Sequence, residues 1–150
     1  SHIGSNPDAS EKWANGELQL DLLPQGSMAE MIRAGGMGLP GILTATGIGT
    51  PVEESPWVDR ILEIEGKNYL LMKPLRADFA VISGYLVDTR GNIWYKGTTR
   101  NFSPLMAMAA DTVIVEADHL VDPGTIAPEN VVTPGILVDY IVVREDETHG

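Results

Sequence analysis

Apolar and polar residues alternate with period two over Glu17-Leu18-Gln19-Leu20-Asp21-Leu22, which predicts a half-buried strand. Pro24-Gln25-Gly26 closes it, and Ser27 to Glu30 spells a capping box ahead of a helix over Met28 to Ala34. Gly35-Gly36 supplies the stop. Two apolar-rich runs, Arg60 to Glu65 and Asn68 to Met72, flank Glu65-Gly66-Lys67 and predict a β-hairpin. Within Asp78 to Val87, the unbroken run Phe79-Ala80-Val81-Ile82 predicts a strand covered on both faces. Asp88 to Asn92 turns the chain into Ile93-Trp94-Tyr95. Ser103-Pro104 reads as an N-cap with proline at the first helical position, followed by a Met- and Ala-rich helix over Leu105 to Ala110. Thr112 to Val115 predicts a second buried strand and Ile136 to Val143 a last one, with a charged tail from Arg144 to Gly150. Strands alternating with short helices predict an α/β domain over residues 1–150.

Between Gly35 and Thr50, six of sixteen residues are glycine. That density raises the entropic cost of order, so it marks either a linker or a wall where another group approaches the backbone. Met37, Leu39, Ile42, Leu43 and Ile48, interleaved with the glycines, favour a packed loop.

Composition narrows the function. The chain has 150 residues, 10 Lys and Arg against 21 Asp and Glu, and a formal charge of −11. Such a balance argues against nucleic acid or an anionic membrane surface as the main partner. Without cysteine there is no disulfide, thiolate metal site or cysteine nucleophile. No apolar run approaches the roughly 20 residues that span a bilayer. Ser1-His2-Ile3-Gly4 lacks the features of a signal peptide, which makes a cytoplasmic location the expectation. The missing initiator Met suggests a chain that has lost something ahead of Ser1.

Candidate chemistry is sparse. His2, His119 and His149 are too scattered to predict a metal site, and Glu53-Glu54 and Glu145-Asp146-Glu147 read as solvated charge. Neither a nucleophile elbow, a P-loop nor a dinucleotide fingerprint is present. Arg100, with Lys96 nearby, either binds an anion at the following helix N-terminus or pairs with Asp78 or Asp111. Gln25 lies between a strand end and a helix start, where α/β proteins place ligands, and its amide can donate to a carboxylate or thioester oxygen.

Pro24-Gln25-Gly26-Ser27-Met28-Ala29-Glu30, Ile32-Arg33-Ala34-Gly35-Gly36-Met37-Gly38-Leu39-Pro40 and Thr46-Gly47-Ile48-Gly49-Thr50 together resemble the α subunit of class I CoA-transferases, the group acting on acetoacetate, butyrate, acetate and succinyl-CoA. Pro74 to Ala80, Arg100 to Met108, Ala109-Ala110-Asp111 and Thr133-Pro134-Gly135-Ile136 continue the match in order. The resemblance implies a layered α/β/α sandwich of the CoA-transferase (NagB/RpiA-like) type with a β-hairpin excursion. It also implies that the N-terminal part is missing and that this chain is roughly the C-terminal two thirds of a subunit. No catalytic residue is expected here: the family's nucleophile is a glutamate in a Ser-Glu-Asn-Gly motif on a β subunit, and Pro128-Glu129-Asn130-Val131 has neither the Ser nor the Gly.

The implied activity is ping-pong CoA transfer between a short-chain acyl-CoA and a carboxylic acid, in a hetero-oligomer with that β subunit. CoA thioester serves as substrate, and no cofactor or metal is called for. Gln25 maps onto the family's active-site glutamine, and Gly26, Gly35, Gly36 and Gly38 onto substrate-lining loop positions. Two rival readings stand beside it: a non-catalytic binding or scaffold module on the same fold, and a related glutaconate or 3-oxoadipate CoA-transferase subunit.

Overall fold

A computed structural model describes residues 3–144. The chain opens with a 3-10 turn and α1 (Pro7–Ala14), capped by Asn6, whose side chain accepts the Ala9 amide. α1 buries none of its residues. Residues 17–24 have no ladder partner: Glu17 and Leu18 bend back with their amides on the Lys12 carbonyl, so the strand predicted at Glu17 to Leu22 does not form. The alternation is real, but a strand needs a neighbour to take its N–H and C=O groups. Here Leu18 and Leu22 stay exposed.

α2 (Gln25–Gly36) starts earlier than the capping-box reading. Pro24 is its N-cap, without a side-chain cap bond, and Ser27 lies buried inside the first turn. Glu30 turns away from that role and pairs with Arg33, with Nη2 2.6 Å from Oε2. Gly35 and Gly36 belong to the helix, and the chain leaves it only at Gly38, whose φ of +68° suits glycine. The glycine-rich stretch holds a short strand that the periodicity did not reveal, β1 (Ile42–Thr44).

β2 (Val58–Ile64) and β3 (Lys67–Met72) form the predicted hairpin. Its turn puts Glu65 at φ 51° and Gly66 at φ 75°, the pair of positive angles that a tight two-residue connection needs. β3 is central, pairing antiparallel with both β1 and β2. Met31 of α2, Leu70 and Met72 are fully buried and seat this small sheet against α2.

The second sheet contains β4 (Ala77–Asp88), β5 (Ile93–Trp94), β6 (Ala110–Val121) and β7 (Tyr140–Val143) in the order β5-β4-β6-β7. β4, β6 and β7 are parallel, and only the short β5 runs antiparallel. α3 (Ser103–Met108) covers one face, where Ala80, Ile82, Val113 and Val115 pack with Ala107. Ser103 is the first residue of that helix, and Phe102 takes the cap position. The final predicted strand is shorter than expected, because Gly135–Leu137 forms a 3-10 turn before β7.

The opposite face is bare. Phe79 is 66% exposed and Val81 67%, so the run predicted to be covered on both sides is covered on one. α2 and α3 pack together and supply one helical layer; the described residues do not supply a second. Arg76 joins the two halves by donating to the Gly35 carbonyl and pairing with Asp111 at 2.8 Å. Arg144, assigned above to the tail, donates its amide to Ala117 and reaches Asp118. Residues 145–150 and His2 lie outside the described residues.

Candidate functional site

A cleft of about 500 Å³ opens beside the start of α2. Pro24, Gly26, Ser27, Glu30 and Arg33 form one wall. The other is the glycine-rich stretch, with Leu39, Ile42 and Leu43 as its apolar part and Thr44 and Thr46 bringing hydroxyls. Gly41 is there for backbone approach: a Cβ would sit 2.5 Å from the Met72 carbonyl oxygen, so only glycine lets this wall close onto β3.

The site's charge comes mainly from the backbone. Met28 makes the first intrahelical bond of α2, to Pro24, so the amides of Gln25, Gly26 and Ser27 lie ahead of the ladder. They carry the positive end of the helix dipole, which favours a carboxylate or a developing oxyanion. Gly26 has open space above its Cα, so a ligand can reach these amides. Glu30 neutralises Arg33 and raises its pKa, through the side-chain hydrogen bond first and charge second. The cleft is thus lined by apolar side chains and hydroxyls beside one ion pair.

The predicted site residues divide. Gly26 lines the cleft, and Gln25 is exposed next to it at the first position of α2. Gly35 and Gly36 are not loop residues. A Cβ on Gly35 would collide with the Leu75 carbonyl, and one on Gly36 would sit 2.7 Å from Cβ of Met108. Both let α2 pack closely against its neighbours. Gly38 stands past the helix end, outside the cleft lining. Sequence reasoning missed Gly41, Thr44, Thr46 and Arg33; the signal was there in the Gly-rich stretch, but only the fold selects which of its residues face α2.

Other candidates resolve structurally. Asp111 is paired with Arg76, not Arg100, and Arg100 ends a 3-10 turn. His119 packs edge-on against Tyr85, ring centroids 5.0 Å apart. His149 lies outside the described residues, and no group of three or more His, Asp or Glu gathers to hold a metal among the described ones. Glu129 is exposed in a 3-10 turn.

Comparison with known proteins gives this geometry a family. The chain is 54% identical over 142 residues to the acetoacetyl-CoA:acetate/butyrate CoA transferase α subunit of Clostridium acetobutylicum, matching 95% of this chain and 64% of that one. It is 47% identical over 146 residues to the acetate CoA-transferase α subunit of Escherichia coli K12, covering 97% of this chain and 65% of the relative. It therefore spans under two thirds of the length of these relatives. In fold, it superposes on an acyl-CoA transferase from E. coli O157:H7, solved as a thioester complex with CoA. The TM-score is 0.83 at 24% identity, over 98% of this chain and 32% of that one. The coenzyme A transferase family model matches residues 1–144, and with these relatives it shows that the chain belongs to that family.

Proposed function

We propose that this chain is the larger part of a CoA-transferase α subunit that moves CoA between a short-chain acyl-CoA and a carboxylic acid such as acetate, acetoacetate, butyrate or succinate. The observation that carries the reading is the cleft at the α2 N-terminus, in a chain 54% identical to an acetoacetyl-CoA:acetate/butyrate α subunit. The enzyme is a cytoplasmic hetero-oligomer, and a β subunit supplies the reactive glutamate from its Ser-Glu-Asn-Gly motif.

The chemistry follows from a carboxylate working on a thioester. The glutamate oxygen attacks the acyl carbon, forming an acyl-glutamyl anhydride and expelling CoA thiolate. The thiolate attacks the glutamyl carbonyl, releasing the first acid and leaving a glutamyl-CoA thioester. The acceptor carboxylate then runs the same two exchanges in reverse and regenerates the glutamate. Dividing the transfer this way replaces one hard exchange with easier ones. Each addition builds negative charge on a carbonyl oxygen, and the anhydride survives only where water is kept out.

This chain is suited to those two needs. The Gln25 amide and the free backbone amides of the first turn of α2 offer neutral donors, and open space over Gly26 admits the acyl group. Leu39, Ile42 and Leu43 form a wall against water. The test places this chain in a subunit of full family length, co-expressed with the β subunit, and compares Gln25→Ala with wild type for CoA transfer from acetoacetyl-CoA to acetate. A loss of roughly 10²-fold in kcat is expected if Gln25 serves the developing oxyanion. Unchanged kcat and KM would remove Gln25 from the site.

A further inference from the structure

The wall of the cleft opposite α2 carries a polar group whose orientation the fold itself sets. β1 pairs with β3 so that Ile42 stands opposite Met72 and Thr44 opposite Leu70. Met72 and Leu70 are fully buried and pack with Met31 of α2, so Ile42 and Thr44 share the face turned toward that helix. Leu43, between them, alternates to the other face and is 48% exposed. The inner side of β1 therefore offers the cleft an apolar side chain and, two residues on, a hydroxyl.

Thr44 is half-buried, and its Oγ1 accepts the Thr46 amide at 3.1 Å. A threonine hydroxyl has one proton to donate and two lone pairs to accept with. The Thr46 amide occupies one lone pair and restricts the rotor, and no protein group among the described residues accepts the proton. The hydroxyl is thereby kept as a donor. Thr46, the other threonine of this wall, is exposed, where water competes for its hydroxyl. Pockets that bind mainly apolar ligands fix their orientation with a few placed polar groups of this kind.

The two walls then have separate tasks. The first-turn amides of α2 and Gln25 serve the oxygen on the reacting carbonyl carbon in the proposed reaction. A donor on the opposite wall, next to Ile42, suits a second oxygen further along the acyl chain, and a neutral donor among apolar side chains suits a neutral carbonyl. We propose that Thr44 is the residue by which this cleft favours 3-oxoacyl substrates: its hydroxyl donates to the keto oxygen of an acetoacetyl group while Ile42 packs against the chain. This rests on the proposed CoA transfer and adds to it the group that tells a 3-oxoacyl chain from a saturated chain of the same length. A saturated chain puts a methylene where the keto oxygen would lie and leaves the hydroxyl proton unpaired, which is the kind of mismatch a site discriminates against.

The test uses this chain in a subunit of full family length, assembled with its β subunit, and compares acetoacetyl-CoA with butyryl-CoA as CoA donors to acetate. Thr44→Val keeps the shape and removes the proton. It should lower the ratio of kcat/KM for acetoacetyl-CoA to that for butyryl-CoA by about tenfold or more. Thr44→Ala should move the ratio in the same direction, and Thr44→Ser, which keeps the donor, should hold it near the wild-type value. Thr44→Val also strands the Thr46 amide, so a purely structural role would depress both substrates together and leave the ratio where it was. A ratio unchanged in both Thr44→Val and Thr44→Ala would overturn the assignment of Thr44 and leave CoA transfer standing. Absence of transfer from either donor in the assembled wild type would overturn the proposed function, and this inference with it.

Discussion

Asp88 shows how a buried charge can hold a turn in place. It is 3% exposed, and burial alone would push its pKa up. Its carboxylate accepts the amides of Arg90 and Asn92 at 2.9 Å and the Asn92 side-chain amide at 2.8 Å, and these outweigh burial, holding the pKa below the ordinary value. Asn92 passes the connection on by accepting the Gly135 amide. A carboxylate depressed in the folded state stabilises at pH values above its unfolded pKa and ceases to as pH falls through the lowered one. Asp88→Ala should therefore cost about 1–3 kcal/mol at neutral pH, where it strands buried donors. The gap to wild type should narrow in strong acid, as read by urea midpoints across the pH range.

Gly35 gives a second prediction at this scale. Ala at this position meets the Leu75 carbonyl, which is backbone and has little room to retreat, so Gly35→Ala should destabilise by about 1–3 kcal/mol in chemical denaturation. It is a packing residue, and the sequence alone could not separate that from a ligand-lining role: both require a missing side chain, and the deciding neighbour lies forty residues away at Leu75.

Among the elements, the pieces legible in the sequence are those whose cause is local. The hairpin needs only Glu65-Gly66 and the alternation on either side of it. The Asp88–Asn92 turn likewise carries its own hydrogen bonds. The misread pieces depend on distant partners. Glu17 to Leu22 has the alternation of a strand, yet strands are made by neighbours, and none is present among the described residues. Phe79 to Ile82 reads as doubly buried because it is apolar throughout, whereas burial depends on what lies above each face. At α2, the Ser27 and Glu30 pair fits a cap, but Pro24 starts the helix earlier and Arg33 draws Glu30 away. The candidate site was half legible: Gly26 lines the cleft and Gln25 lies next to it, while Thr44, Thr46 and Gly41 join that lining only once β1 is laid beside α2. Met72 is the pivot of that arrangement, fully buried on β3 between β1 and β2. Met72→Ala should cost about 2–5 kcal/mol and expose β1–β3 amides to exchange before those of β4 and β6.

For the molecule as a whole, one acidic chain of charge −11 presents a cleft with backbone and amide donors, and the proposed nucleophile belongs to a different chain. The family match covers residues 1–144, and relatives at 54% and 47% identity are α subunits by name. The proposed division of labour is the central claim: this polypeptide would shape the acyl pocket, and the acid that becomes covalently loaded would sit on another. The most direct measurement is intact mass after exposure to acetoacetyl-CoA, taken on this chain alone and on the full-length α chain with its β subunit. The account predicts no mass gain on this chain in either case and a CoA adduct on the β subunit, discharged by acetate. A CoA adduct on a side chain of this polypeptide would contradict it.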